Sequence, residues 1–246
     1  MPLQTPSNTN KVVIITGASQ GIGASLVRGY REKGWRVVAN SRSIKPGTFG
    51  DDPQILTVEG DVGDARTARK LVAAAVEKFG RVDSLVNNAG IFIAKPFTDY
   101  TAEDFTKKLG VNVAGFFYVT QAAIARFLEQ GHGGHVVSLT TSLVDQPLAG
   151  VPSVLASLTK GGIDAATRSL AIEYAPRGIR ANAVSPGIIQ TPMHAPETHA
   201  ALARLHPLGR MGTIDEIVQA VLYLEDASFV TGETLHVDGG QHAGHW

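Results

Sequence analysis

The chain has 246 residues, enough for one large α/β domain and short for two domains with separate cores. Hydrophobic residues are 43% and charged residues 18%, which argues against disorder. Lysine plus arginine equals aspartate plus glutamate at 22 each, so no electrostatic case for nucleic acid or an anionic membrane arises, and the absence of cysteine excludes disulfides and thiolate metal sites.

The opening "MPLQTPSNTN" is polar and reads as a loose tail over residues 1–10, without the apolar segment of a signal peptide. No apolar run approaches the roughly 20 residues of a membrane helix, so the expected address is cytoplasmic. "KVVIITG" then predicts a buried parallel strand stopped by glycine, and residues 21–33 a helix. "WRVVAN" and "QILTVEGD" predict the second and third strands. "DARTARKLVAAAVEKFG" predicts a helix with an acidic start and a glycine stop, and "VDSLVNNAG" the fourth strand. Residues 101–130 predict one helix. "GGHVVSLT" and "GIRANAVSPG" predict strands five and six, with a helix over 153–176 between them. A helix over 213–225 and "TLHVDGG" as a seventh strand complete the chain. Strands alternating with helices predict an α/β fold: one doubly wound, Rossmann-type parallel sheet of about seven strands with helices on both faces. The stretch 191–208, with three histidines, three prolines and little periodicity, interrupts the alternation as a lid or loop.

"TGASQGIG", residues 16–23, joins the first strand to the first helix. Gly17 permits a tight turn. Gly21 and Gly23 admit a pyrophosphate and let the helix pack on the sheet, while the helix N-terminus offers free N–H groups. Ser19, Gln20 and Ile22 complete this candidate phosphate loop. A bare strand-to-helix turn also favours glycine. The same letters match the G-x-S-x-G nucleophile elbow, which would make Ser19 the nucleophile of a serine hydrolase. No oxyanion loop accompanies it and nothing selects a triad.

At this point the chain resembles the short-chain dehydrogenase/reductase family, from about residue 11 to residue 240. "TGASQGIG" is similar to the family's cofactor loop, and "NNAG" (Asn88, Ala89 and Gly90 with Asn87) to its fourth-strand motif. Asn112 in "GVNVAGFF" resembles its active-site asparagine. "SPGIIQTP", with Pro186, Gly187 and Ile189, resembles the motif whose threonine, here Thr191, meets the nicotinamide carboxamide. "FVTGETLHVDGG" resembles a C-terminal strand often found in a tetramer interface, so a homotetramer is expected. The resemblance implies a nicotinamide cofactor and hydride transfer to or from a small carbonyl or alcohol substrate. It also implies a lysine that holds the ribose and lowers a tyrosine's pKa, a serine on the substrate oxygen, and an asparagine in a proton relay.

Lys160 matches the lysine. Thr141 takes the serine's place, with Ser142 one step later as the other candidate; both could instead satisfy the strand end. The tyrosine's place, four residues before Lys160, is Ala156, and no tyrosine lies nearby in sequence. The second strand ends in "NSRS", which has no acid, so Ser41 and Arg42 favour NADP(H), with NAD(H) the alternative. Asp61, followed by Val62, matches the adenine contact or is a turn aspartate.

Three readings of Ala156 follow: an engineered removal, a natural enzyme with another acid, or a cofactor-binding sensor without chemistry. Thr141, Leu158 and Thr159 also depart from the family pattern, which ranks engineering below the natural readings. Replacement acids could come from His194, His199 or His206 of the lid. Three histidines without cysteine or an acidic pattern make no metal site. The substrate pocket is expected from residues 91–96, 141–151 and the lid.

Overall fold

The run Val12–Ile15 is apolar at every position, as a strand covered on both faces requires. In the computed structural model, which describes residues 10–244, it forms the fully buried strand β1 (Val12–Thr16). Its side chains alternate between two cores: Val12 and Ile14 enter one, Val13 and Ile15 the other. Of the tail expected over residues 1–10, all but Asn10 lies outside the described residues.

The remaining strands are β2 (Arg36–Ser41), β3 (Ile55–Glu59), β4 (Ser84–Asn87), β5 (Gly134–Leu139), β6 (Ile179–Pro186) and β7 (Thr234–Val237). All seven pair in parallel, in the order β3-β2-β1-β4-β5-β6-β7. The chain therefore runs outward from β1 to one edge and then returns to build the other half. This reversal opens a crevice at the carboxyl ends of β1 and β4, where open α/β sheets bind ligands.

Helices α1 (Gly21–Glu32) and α7 (Ile214–Asp226) cover one face, through Leu26, Val27, Ile217 and Val221 among others. Helices α2 (Ala65–Phe79), α4 (Gly115–Gln130) and α5 (Val154–Tyr174) cover the other, through Leu71, Phe127 and Ala171. Local chemistry fixes the ends. Asp64 caps α2 by accepting from the Arg66 N–H at 2.8 Å, and Gly80 ends it at φ 83°. Thr213 and Glu216 close a capping box on α7.

Two expectations need correction. The single helix expected over residues 101–130 is three pieces: α3 (Ala102–Lys108), a π-helical turn Leu109–Ala114, and α4. Gly115, just past the turn, sits so close to Val62 that a Cβ there would lie 2.7 Å from its Cγ2, an approach that the absence of a side chain allows. The whole run Ala102–Gln130 is also long and apolar enough to cross a membrane, by length and composition alone. Here its apolar stripe, Val119, Ala123 and Phe127, is packed against the sheet and α2. The stretch 191–208 contains one turn of 3₁₀-helix, Pro196–Thr198, and the short helix α6 (His199–Ala203).

Candidate active site

The β1–α1 loop folds onto the end of β4. Asn88 donates from Nδ2 to the carbonyls of Thr16 (2.9 Å) and Gly17 (3.1 Å), and its own N–H goes to Thr16 Oγ1. Gly17 has φ 66°, and a Cβ on it would meet Ala89 Cα at 2.8 Å. Gly23 is tighter: a Cβ would lie 2.2 Å from the Gly17 carbonyl oxygen. Gly23 is thus required by the loop's packing on itself. Gly21 differs, because a Cβ there would meet nothing nearer than Thr191 and Pro192 at 4.0 Å. Helix α1 starts here with no side-chain cap and no acidic residue in its first turn, so its positive end faces the crevice.

This crevice is a cleft of ≈ 510 Å³, within the range of small-molecule sites. Every residue of the expected phosphate loop lines it: Gly17, Ser19, Gln20, Gly21, Ile22 and Gly23. So do Ser41 and Arg42 at the end of β2, and Asp61 and Val62 after β3. Asn88, Ala89 and Gly90 form its floor, and Pro186, Gly187, Ile189 and Thr191 its far wall. Arg42 is exposed at the mouth. Asp61 also accepts the Gly63 N–H at 2.9 Å, so it braces a turn as well as facing the cleft. Ser19 is exposed on its loop and, among the described residues, no histidine hydrogen-bonds to it.

Thr141, Asn112, Ala156 and Lys160 meet at the opposite end. Lys160 Nζ donates to the Leu139 carbonyl at 2.6 Å. Burial pushes its ammonium down to about 8, with help from the neighbouring charge of Lys108. Asn112 is buried on the π-helical turn. Its Oδ1 accepts the Ile91 N–H at 2.9 Å, and its Nδ2 donates to the Ile91 carbonyl and to Thr159 Oγ1, each at 3.2 Å. Thr159 is therefore a packing partner that ties α5 to the turn. Thr141 Oγ1 accepts the Leu143 N–H at 3.4 Å and keeps its own proton free for another acceptor.

The structure does not bring Ser142 to the cleft; it is buried behind it, 1% exposed. Leu158 stands on the outer face of α5, 59% exposed, and so is no departure within the pocket. Of the expected substrate walls, Ile91, Phe92, Thr141 and residues 191–194 line the cleft, whereas residues 93–96 and 142–151 do not. Among the three lid histidines only His194 lines it. Burial and the nearby His199 both depress its pKa. His199 hydrogen-bonds with the His194 carbonyl and Gln190. His206 is buried and accepts the Ile188 N–H at 2.9 Å, which holds the ring neutral.

Sequence reasoning missed one group. Lys108, four residues before Asn112, is 0% exposed, and its Nζ has no hydrogen-bond partner among the described residues. Its ammonium stands 5.1 Å from the centroid of the Phe92 ring, and burial pushes its pKa down to about 8. Only its spacing from Asn112 could have drawn notice, since a lone lysine on a helix ordinarily reads as solvated.

An uncapped helix N-terminus, an arginine at the mouth, and a buried lysine with a free threonine hydroxyl at the far end form a donor set suited to an elongated, anionic dinucleotide. Comparison with known proteins agrees. The family model described as "Enoyl-(Acyl carrier protein) reductase" matches residues 17–242. The 3beta-hydroxysteroid dehydrogenase 1 of Eggerthella lenta is 37% identical, over 94% of this chain and 93% of that protein. Among solved structures, ElxO with NADP bound superposes with a TM-score of 0.89 at 29% identity, over 96% of this chain and all of that one. The 3-ketoacyl-(acyl-carrier-protein) reductase of Brucella melitensis complexed with NADH gives 0.88 at 32%, with the same coverage. The fold, the cleft and these relatives agree: the chain belongs to the short-chain dehydrogenase/reductase family.

Proposed function

We propose that the chain is an NADP(H)-preferring oxidoreductase that interconverts a small carbonyl compound and its alcohol, with Ala156 where the family's tyrosine stands. The observation that carries this reading is the continuity of the cleft. One groove joins the bare N-terminus of α1 to Lys160, Asn112 and Thr141.

When bound, the nicotinamide supplies or accepts the hydride. The α1 N-terminus and the loop around Gly21 would hold the pyrophosphate, and Lys160 the nicotinamide ribose. Thr191 would meet the carboxamide, and Asp61 and Val62 the adenine. Ser41 and Arg42 would meet a 2′-phosphate; no acid among residues 40–43 opposes it. Thr141 retains a hydroxyl proton to offer the substrate oxygen. Ala156 offers only a methyl. Phe92 and Met193 make the substrate end partly apolar, so a neutral, partly apolar carbonyl suits it.

We further infer a homotetramer. Phe117, Leu158 and Ile172 leave large apolar surfaces exposed on α4 and α5, and Phe229 does so ahead of β7. Titration with NADPH and NADH, followed by a screen of ketones and aldehydes for cofactor oxidation, tests the functional reading. A chain that binds neither dinucleotide overturns it. A chain that binds NADPH and turns over nothing is a sensor.

A further inference from the structure

We propose that Lys160 is an amine nucleophile in its own right: in the cofactor-free chain it captures an aldehyde or ketone as an imine on Nζ. This is a further activity of the cleft, distinct from hydride transfer, and it needs no dinucleotide.

The geometry gives the amine access. Lys160 lines the cleft. A Cβ built on Gly90 would lie 3.3 Å from its Nζ and 3.5 Å from Asn112 Oδ1, so the glycine keeps the space beside the nitrogen clear. Ala156, one turn back on the same face of α5, adds only a methyl to the cleft wall. Thr141, whose hydroxyl proton is uncommitted, lines the same cleft and can hydrogen-bond a carbonyl oxygen. Ile91, Phe92 and Met193 supply apolar surface for the rest of a carbonyl compound.

The one hydrogen bond of the nitrogen also aims it. Nζ donates to the Leu139 carbonyl at 2.6 Å. A neutral amine has two N–H groups and one lone pair. With one N–H held by the strand end, the lone pair is left for the cleft.

The surroundings favour the free amine. Asp164, the first carboxylate along the same helix, is committed to Arg168 at 2.6 Å and to the Thr234 hydroxyl at 2.6 Å. Asp145, in the loop after β5, pairs with His236 at 3.0 Å. The charge that bears on Lys160 is Lys108, of like sign, which is itself buried without a hydrogen-bond partner among the described residues. Burial and this second cation bring the Lys160 ammonium down to about 8. Desolvation and a neighbouring cation are the two ways in which a lysine is activated as a nucleophile. Lys108 thus acts through Lys160 and has no need to reach the cleft.

In the capture step, the Nζ lone pair forms a bond to the carbonyl carbon, the C=O π pair moves onto oxygen, and a proton passes from nitrogen to that oxygen. The nitrogen lone pair then forms C=N as the C–O bond breaks. The departing hydroxide takes a proton from solvent and leaves as water. The product is an iminium on Lys160, which water reverses.

Butanone with sodium cyanoborohydride is the probe: the reagent reduces the iminium to a stable secondary amine, and peptide mass mapping places the adduct. At about pH 7, roughly 10²-fold more of an amine with a pKa near 8 is unprotonated than of one at the ordinary value of about 10.4. The adduct is therefore expected to form about 10–10²-fold faster at Lys160 than at the exposed Lys45 and Lys78. This preference should shrink as the pH rises toward about 10 and vanish in the urea-unfolded chain. Lys160→Arg should lose this adduct and no other. The comparison is made among lysines of one folded chain, so it does not depend on a variant that folds. Modification of Lys160 no faster than of Lys45, or a preference that survives unfolding, overturns the proposal and leaves the reductase reading untouched. An adduct that forms as fast in saturating NADPH supports the capture and overturns instead the assignment of the ribose to Lys160.

Discussion

Lys160 on α5 donates to the carbonyl of Leu139 at the end of β5 across 2.6 Å, so the strand that builds the cleft also holds its lysine in place. This anchor does not involve position 156. The lysine is therefore held in the cleft without help from a side chain at position 156. NADPH is expected to bind tighter than NADH. Arg42→Ala is expected to narrow the difference by about 10–100-fold, as loss of a charge-assisted phosphate contact worth about 1.5–3 kcal/mol implies. Fluorescence titration of both dinucleotides measures this, and equal affinities in the parent chain would refute the NADP assignment.

Gly21 and Gly23 have different reasons to be glycine, and substitution separates them. Gly23→Ala forces a methyl against the Gly17 carbonyl, which is main chain and cannot step aside cheaply. A loss of about 2–3 kcal/mol in denaturant unfolding is expected. Gly21→Ala meets no close atom but must hold φ 55°, at about 1–2 kcal/mol, and its methyl enters the cleft. Its main effect should be weakened NADPH binding. Equal stability losses with unaltered binding in both variants would contradict this division.

The two buried lysines give stability a definite pH dependence. Each has its folded-state pKa near 8, below the unfolded value of about 10.4. Between those values the unfolded chain holds more protons, so stability rises with pH across that window. The cost of burying the charges is fully present below about pH 8. Lys108→Met should therefore raise the denaturation midpoint at pH 7 and flatten the rise between about pH 8 and pH 10. A midpoint that falls at pH 7 would show that Lys108 has a stabilising partner in solution.

Light scattering should report a mass four times that of the 25.9 kDa chain. Phe117 is 53% exposed and Ile172 81%, and aspartate at either should shift the mass downward if these faces pair. A monomeric parent chain at micromolar concentration would exclude the tetramer.

The fold was legible because its signals are local. Val12–Ile15 is apolar without a break, as a doubly covered strand must be, and "TGASQGIG" follows it at once. Much of the cleft is built from strand ends and the loops after them, so contiguous letters name those walls. The substrate end was less legible because it depends on which way a helix face turns. Leu158 and Thr159 are neighbours in sequence, yet one faces outward and the other bonds Asn112. The π-helical turn before α4 shifts the face on which Lys108 and Asn112 lie, and a period of 3.6 residues cannot show such a turn. Ser142 and Thr141 likewise differ only in the direction taken at the end of β5.

Ala156→Tyr tests what a hydroxyl would do at position 156. It places a phenol in a wall that already includes Asn112 and Lys160. Leu158 points outward and does not block the ring. On a ketone that the parent reduces slowly, kcat is expected to rise by about 10²–10⁴-fold, the usual contribution of a positioned acid. NADPH affinity should stay as it is, because the change lies in the chemical step and not in cofactor binding. Kinetics of the two chains on one ketone, with the thermal midpoint as a control for folding, measure it. A phenol that leaves the rate unchanged in a folded, NADPH-binding chain would refute the expectation that a hydroxyl at position 156 completes the site.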